Sequence, residues 1–333
     1  MSINNPEWAN MDAQRQQAFQ RAISVATAGT NLVQSYVNKI IQQLSIREFG
    51  ALGTLDRRPG SGAQAIVNRR TSSVMTPANV WVADTAALTE TTGTYAQNQW
   101  TYRTLATRGR VTRKIRATGR TYLDVLAEEM THKLDDMNNS LESALFIGDS
   151  NPVANQIDGM LTQINAVAGQ VVANTTAAAG DSLTLAKLDE AIDSVKGAGA
   201  RSDLVIYGSF AGMRKLNAAL QAQQQFMNET EIAAGFRVRT YDGIPMVVST
   251  GMPDDLTWSG SAVTALSGET ANPTTALAVV NKRYLWVEEL TPMTMMPLAR
   301  DDSQFEQFDL FWDGACVLGN TLGASILGGI NLD

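Results

Sequence analysis

Reactive side chains are scarce in this 333-residue chain, which holds one cysteine, Cys316, and one histidine, His132. A single cysteine excludes an internal disulfide framework and a cysteine-rich zinc site, and it fits a reducing cytoplasm. A single histidine excludes metal motifs that need two, and any Ser-His-Asp site would have to use it. We predict that His132 is an ordinary helix residue and that Cys316, which lies in an apolar run, is a buried structural thiol.

Phosphate-binding loops and catalytic acid pairs are also missing. The sequence has no Walker-type loop, and Gly60-x-Gly62 lacks the third glycine and the helix of a dinucleotide fingerprint. Adjacent acids such as Glu128 and Glu129 point in different directions on a helix, so they are more simply read as solvated. We therefore expect no catalytic residues, no cofactor and no metal, and a protein that is not an enzyme.

Long hydrophobic runs are rare as well. No apolar segment follows a basic start, so we expect neither secretion nor a membrane anchor. The uncharged stretch 314–332 contains five glycines and predicts a buried strand rather than a transmembrane helix. The net charge of −7 argues against tight general binding of nucleic acid and leaves room for weak proximity to DNA.

The longest helical pattern runs from Thr121 to Ile147. Its apolar residues recur at steps of four, four, four, three, four and four, which is one stripe along a helix face. Thr121 is the predicted N-cap, with Asp124 in a capping box, and Gly148 is the predicted stop. The helix would be about 40 Å long. The stripe consists of Tyr122, Leu126, Met130, Leu134, Met137, Leu141 and Leu145.

Charge is distributed unevenly along the chain. Residues 57–120 hold eleven basic side chains against two acidic ones, whereas the remainder holds 15 basic and 31 acidic. One interpretation is an arm that reaches the opposite charge of another copy of the chain. The other is that these arginines pair within the same subunit with the acids of the 121–147 helix. Charge alone leaves both interpretations open.

The spacing of hydrophobic residues changes along the part of the chain that precedes the long helix. The first 50 residues predict two amphipathic helices that need a surface to dock on. Residues 63–70 and 99–117 alternate with period two and predict two long strands of a ribbon with a loose tip between them. Alternation would place Arg108, Arg110, Thr112, Lys114 and Arg116 on one face, unless Gly109 inserts a bulge.

Residues after the long helix predict an α/β part followed by strands. Residues 166–180 predict an exposed irregular excursion, and 182–220 predict a helix, a buried strand and a second helix. Residues 221–230 predict a polar tip, and Asp242-Gly243 predicts a hairpin turn. From residue 275 onward the chain returns to strands, with Phe308, Leu310 and Trp312 on one face.

This order of elements resembles the major capsid protein of tailed bacteriophages, which has the Hong Kong 97 fold. The motif match lies in residues 106–164, where an arginine-rich strand leads into a long helix. That helix closes with a hydrophobic-Gly-Asp step, Ile147-Gly148-Asp149. The segment Asp158-Gly159-Met160-Leu161 follows shortly afterwards, as in members of the family.

The resemblance implies an α+β fold of four parts. These are an N-terminal helical arm (1–50), an extended β-ribbon loop (51–110), a peripheral domain (111–157 and 282–318) with a spine helix (121–147), and an axial α/β domain (158–281 and 319–333).

The function that the resemblance implies is self-assembly into hexamers and pentamers of an icosahedral head around double-stranded DNA. Implied partners are other copies of the chain, a portal protein, a scaffolding protein and a cement or decoration protein, with no membrane. The implied location is the virion capsid, and the host cytoplasm during assembly. The residues expected at the intersubunit interface are Arg57, Arg58, Arg69, Arg70, Trp81, Trp100, Tyr102, Arg108, Arg110, Arg113, Lys114 and Arg116.

Two departures from the family pattern limit what carries over. No lysine occurs between Lys39 and Lys114, so we expect no covalent cross-link through a lysine of the ribbon. The arm also starts almost at once, which implies a separate scaffold or a processed chain. An encapsulin-like cellular nanocompartment remains an alternative, and a phage tail or fibre protein a more distant one, against which the lack of repeats counts.

Overall fold

The computed structural model describes residues 50–72, 81–86, 92–119, 124–151, 153, 155–196, 203–222, 228–233, 236–264, 273–298 and 304–332. The two predicted arm helices lie almost entirely outside these ranges. The described helices are α1 (Gly50–Thr54), α2 (Arg113–Gly119), α3 (Val125–Ile147), α4 (Met160–Asn165), α5 (Leu185–Lys196) and α6 (Phe210–Ala222), with a 3-10 turn at Thr321–Gly323.

Fifteen strands are assigned among the described residues. They are β1 (Asp56–Pro59), β2 (Gln64–Ser72), β3 (Thr94–Thr101), β4 (Arg103–Thr112), β5 (Val171–Ala173), β6 (Leu204–Gly208), β7 (Asn228–Ala233), β8 (Phe236–Tyr241), β9 (Ile244–Val248), β10 (Thr257–Trp258), β11 (Val263–Thr264), β12 (Thr274–Asn281), β13 (Leu285–Pro297), β14 (Phe305–Leu318) and β15 (Ala324–Asn331).

A seven-stranded sheet has the order β5-β15-β12-β6-β9-β8-β7. Its strand β6 is buried along its whole length. Leu204 and Ile206 pack with residues of α5 and α6, whereas Val205 and Tyr207 join a cluster on the opposite face with the spine helix α3. Burial on both faces explains why the sequence is uninterruptedly apolar there.

The hairpin predicted at Asp242-Gly243 joins β8 and β9. Tyr241 and Ile244 are register partners, and the two turn residues have φ angles of 49° and 77°. Two consecutive residues with positive φ are the type I′ geometry that an Asp-Gly turn favours. The prediction is confirmed.

A four-stranded sheet has the order β1-β13-β14-β4. Phe308, Leu310 and Trp312 share one face, as predicted, and all three are buried in the cluster that contains α3. Gly109 is the register partner of Phe308 without a bulge, and a Cβ at Gly109 would lie 2.0 Å from the Phe308 ring. The glycine therefore makes room for an aromatic ring instead of interrupting the strand.

The predicted ribbon is present but shorter than expected. Strands β2 and β3 pair antiparallel with each other. After Tyr102 the chain leaves the ribbon, because β4 pairs with β14 in the four-stranded sheet, and residues 113–119 form a helix. The prediction of one strand over 99–117 is thus wrong. The sequence has no glycine or proline near Tyr102 to mark the exchange of partners, and Arg-Lys-Ile-Arg-Ala suits a helix as well as a strand.

The spine helix α3 covers 23 residues and is about 35 Å long. Asp124, not Thr121, is its N-cap, since its side chain accepts from the amides of Leu126 and Ala127. Gly148 ends the helix as predicted. Thr121 and Tyr122 lie outside the described residues.

The predicted stripe holds only in part. Met137, Leu141 and Leu145 are buried, and Leu126 and Met130 are partly buried against the same cluster. Leu134 is 38% exposed. Burial is therefore concentrated in the C-terminal half of the helix.

Two irregular segments are more regular than predicted. Residues 171–173 of the supposed excursion form β5, which pairs parallel with β15, and Val172 is buried. The supposed polar tip enters strand β7 at residue 228. The uncharged stretch 314–332 forms the end of β14 and strand β15, both buried, so the prediction of a buried strand is confirmed.

Candidate intersubunit surface

The basic residues of segment 57–120 lie mostly on the body of the molecule. Only Arg69 and Arg70 belong to the ribbon strands. Six others are on β4 and α2, and Arg57 and Arg58 are on β1. The ribbon itself therefore carries little of the excess positive charge, contrary to the interpretation of a highly charged arm.

Several of these arginines have partners within the chain. Arg108 donates two hydrogen bonds to Asp309, at 2.6 and 2.9 Å, and Arg116 pairs with Glu306. The adjacent Arg108 guanidinium lowers the pKa of the Asp309 carboxyl below its usual value. These carboxylates belong to β14 and not to the spine helix, so pairing within the subunit exists but uses other acids than the sequence suggested.

Three further arginines contact the four-stranded sheet. Arg57 lies 3.4 Å from Glu289, the Arg58 guanidinium stands 4.1 Å from the centre of the Trp286 ring, and that of Arg110 stands 3.7 Å from the centre of the Phe305 ring. Exposed ion pairs contribute little because water screens them. These five arginines therefore have contacts within their own subunit. The Arg113 side chain at the same end of the sheet is exposed, so we take it as the basic group for a contact with a neighbouring copy.

The three aromatic residues expected at the interface separate into two groups. Trp81 is 84% exposed. The Trp100 indole donates to the side-chain oxygen of Gln163 at 2.9 Å, and the Tyr102 hydroxyl donates to Glu288 at 2.5 Å. Burial and the bond to Glu288 raise the pKa of Tyr102 to about 12. Trp100 and Tyr102 thus attach the root of the ribbon to its own subunit.

One face of the ribbon is exposed. Ile66 and Tyr95, which lie on the face opposite Ala65 and Trp100, are 52% and 75% exposed. Ala65 and Trp100 instead belong to a small cluster with residues of β13 and β14. An isolated two-stranded ribbon is marginally stable in water. Asn68, Gln97 and Gln99 lie on the same face, which is therefore a mostly polar surface that carries two exposed apolar side chains.

The glycines of the Ile147-Gly148-Asp149 and Asp158-Gly159 steps pack against each other. The Gly159 amide donates to the carbonyl of Gly148 at 2.8 Å, and the Ser150 amide donates to the Asp158 carboxylate at 2.8 Å. A Cβ at Gly159 would lie 2.6 Å from the Ala144 carbonyl oxygen. The two steps are one structural unit that closes the spine helix against α4.

Glu142 has a role that the sequence did not reveal. It is 1% exposed, and its carboxyl group accepts from the amides of Ala51 and Leu52, both at 2.8 Å, and from the Ser249 hydroxyl at 2.5 Å. It thereby joins the N-terminus of α1 and the end of β9 to the spine helix. No sequence signal separates it from the solvated acids of the same helix.

The single histidine and the single cysteine both have ordinary structural surroundings. His132 is 3.4 Å from Glu128, one helical turn away. Cys316 is fully buried, and burial raises the pKa of its thiol to about 12, a poor setting for a nucleophile. Among the described residues, no group of three or more His, Cys, Asp or Glu side chains could hold a metal ion. None of the described helices is both long and apolar enough to cross a membrane.

A family model described as SU10 major capsid protein matches residues 63–331. The chain belongs to the SU10 major capsid protein family. Membership makes it a phage major capsid protein, a structural component of the virion capsid. The resemblance inferred from the order of elements is confirmed. A search of curated proteins found no match.

Solved structures show the same fold. The capsid of an empty GTA particle is 16% identical, with a TM-score of 0.68, and covers 92% of this chain and 98% of its own. The cyanophage A-1(L) capsid is 13% identical, with a TM-score of 0.67, covering 90% and 98%. The SrpI encapsulin of Synechococcus elongatus is 14% identical, with a TM-score of 0.66, covering 92% and 95%. The Hong Kong 97-type fold predicted for the family is confirmed.

Proposed function

We propose that this major capsid protein assembles into hexamers and pentamers of a closed icosahedral head that encloses double-stranded DNA. The observation that carries the proposal is the ribbon β2-β3, whose described residues contact their own subunit through one face and expose Ile66 and Tyr95 on the other, mostly polar face. Two strands alone are marginally stable, so a neighbouring copy is the natural support for that face. Ile66, Trp81 and Tyr95 are the contacts with the most exposed apolar surface.

The four-part division remains our proposal for how the subunit is organised. Residues 1–50 would be the arm, and the peripheral and axial domains would correspond to the four-stranded and seven-stranded sheets. The extended loop would shrink to about residues 60–101, because β1 and β4 lie in the four-stranded sheet. A portal protein, a scaffold and a cement or decoration protein would complete the head, assembled in the host cytoplasm. The role is structural, without catalysis.

The basic end of the four-stranded sheet is proposed as a second contact, centred on Arg113. Reversing its charge in Arg113→Glu should leave a folded subunit and strongly reduce the yield of closed shells, because the neighbouring copy would meet a like charge. Arg116 is a less suitable position, because it already pairs with Glu306 within the subunit and its reversal would change that internal contact as well. Gel filtration followed by electron microscopy measures the yield.

Arg113→Lys is the matched control, because it keeps the charge and should keep assembly near the level of the unaltered protein. Circular dichroism of both variants establishes that the subunit is folded. Normal shells from Arg113→Glu would remove Arg113 from the interface.

An encapsulin-like nanocompartment is the alternative that the sequence left open; the SrpI encapsulin is a relative in fold alone, and the family favours the phage head. The contents of the particle separate the two. Nuclease-protected DNA in particles made with the neighbouring genes supports a phage head, whereas a protein cargo without DNA supports a nanocompartment.

A further inference from the structure

We infer that Gln163 is a positioning residue that fixes the direction of the ribbon β2-β3 relative to the four-stranded sheet. The inference rests on the proposed assembly, because the direction of the ribbon matters where it meets a neighbouring copy. It is carried by a set of hydrogen bonds at the point where the chain leaves the ribbon.

The side-chain amide of Gln163 has all of its bonding positions occupied. Its nitrogen donates to the carbonyls of Asp158 at 2.7 Å and Cys316 at 2.9 Å. Its oxygen accepts from the Trp100 indole at 2.9 Å and from the Leu318 amide at 3.2 Å. Two obligate acceptors and two obligate donors determine which end of the amide is which. Gln163 therefore holds Trp100 in one place from a rigid position on α4.

A second bond restrains the same corner from the other side. The Tyr102 hydroxyl donates to Glu288, whose other oxygen accepts from the Trp286 indole at 3.3 Å. Gly60 lies against Tyr102, and a Cβ there would be 2.7 Å from the hydroxyl. Trp100 and Tyr102 thus flank the residue at which β3 ends, and each is bonded to a different strand or helix of the body.

The space beside the root shows why the Trp100 bond matters. A polar cleft of about 170 Å³ lies between the root and the loop after the spine helix. It is lined on one side by Trp100 and Arg103 and on the other by Ser150, Gln156 and Asp158. Because this side of the root is open and not packed, the Trp100 bond limits movement into the cleft.

A small rotation of the ribbon at its root produces a large displacement at its far end. Strand β2 has nine residues and strand β3 has eight, so the ribbon is about 30 Å long. A rotation of about 10° at the root displaces its far end by about 5 Å, the spacing of neighbouring strands. Loss of one hydrogen bond would then misplace the contact surface while the subunit stays folded.

The test compares Trp100→Phe with Trp258→Phe. Both lose an indole hydrogen bond, since Trp258 donates to the Thr175 carbonyl at 2.8 Å, but the Trp258 ring packs against Gly328 and Gly329 of β15 and its bond does not involve the ribbon. Spin labels at Asn68→Cys and Ser140→Cys, both exposed positions, report the distance between ribbon and spine by electron paramagnetic resonance on unassembled subunits. Cys316 remains unlabelled because it is buried.

We expect Trp100→Phe to broaden the distance distribution by about 5 Å and to lower the yield of closed shells, with Trp258→Phe unchanged in both. Gln163→Met should give the same broadening as Trp100→Phe. An unchanged distribution in Trp100→Phe overturns the inference, and so does equal broadening in Trp258→Phe. Because the distances come from unassembled subunits, failure of the unaltered protein to form shells would overturn the proposed function and not this inference.

Discussion

Replacing Glu142 by alanine should lower the free energy of unfolding by about 3–5 kcal/mol, one of the two largest effects that we expect in this subunit. The change leaves the amides of Ala51 and Leu52 and the Ser249 hydroxyl without their acceptor in a buried site. It also removes the link between α1, β9 and the spine helix. Urea denaturation of unassembled subunits, followed by circular dichroism, measures the loss.

Two variants define the effect more closely. Glu142→Gln keeps the size of the side chain but offers one acceptor atom instead of two, so we expect a loss of about 1–3 kcal/mol. Glu129→Ala, on the same helix but only half-buried, should change the stability by about 0.5 kcal/mol or less. If Glu142→Ala is as stable as Glu129→Ala, the buried carboxyl group does not hold the three elements together.

Replacing Gly159 by alanine should cost about 3 kcal/mol or more, at or above the upper end of ordinary overpacking. The new Cβ would lie 2.6 Å from the Ala144 carbonyl oxygen and 2.7 Å from both the Gly148 nitrogen and the Phe146 carbonyl oxygen. All three neighbours are backbone atoms, so no side chain can rotate away. The end of the spine helix and α4 would have to separate.

Gly53→Ala is the matched control for Gly159→Ala. A Cβ at Gly53 meets nothing within 4 Å, and the residue lies in helix α1. Alanine there should leave the stability unchanged or raise it by about 0.5–1 kcal/mol, because alanine favours a helix and restricts the unfolded chain. Comparison of the two denaturation midpoints separates steric crowding from a general effect of alanine. Equal midpoints would contradict close packing at Gly159.

Features encoded by local chemistry could be predicted from the sequence. The spacing of apolar residues gave the spine helix to within a few residues at its start, and Asp242-Gly243 gave a type I′ hairpin. The family motif contains Gly148 and Gly159, and the hydrogen bond and close packing between them give the physical reason for it. In each case the signal lies within a few neighbouring residues.

Features that depend on distant partners could not be predicted. Nothing near Tyr102 indicates that the chain exchanges one strand partner for another, because β14 is some 200 residues away in sequence. A glutamate on a helix is expected to face solvent. Glu142 is buried because the C-terminal half of the spine helix, where it lies, is packed on several sides. The predicted interface also depends on partners that are distant in sequence. Their type and position predict that Trp100 and Tyr102 are contact residues, whereas no sequence pattern indicates that Gln163 and Glu288 bond to them.

The most direct test of the central claim is electron microscopy of the gel-filtered protein, expressed alone and together with its neighbouring genes. The account predicts closed shells of uniform diameter with icosahedral symmetry, built from hexamers and pentamers. In the second preparation it also predicts nuclease-protected double-stranded DNA inside them. A protein that remains a monomer or small oligomer in both preparations would contradict the claim that its exposed ribbon is an assembly surface.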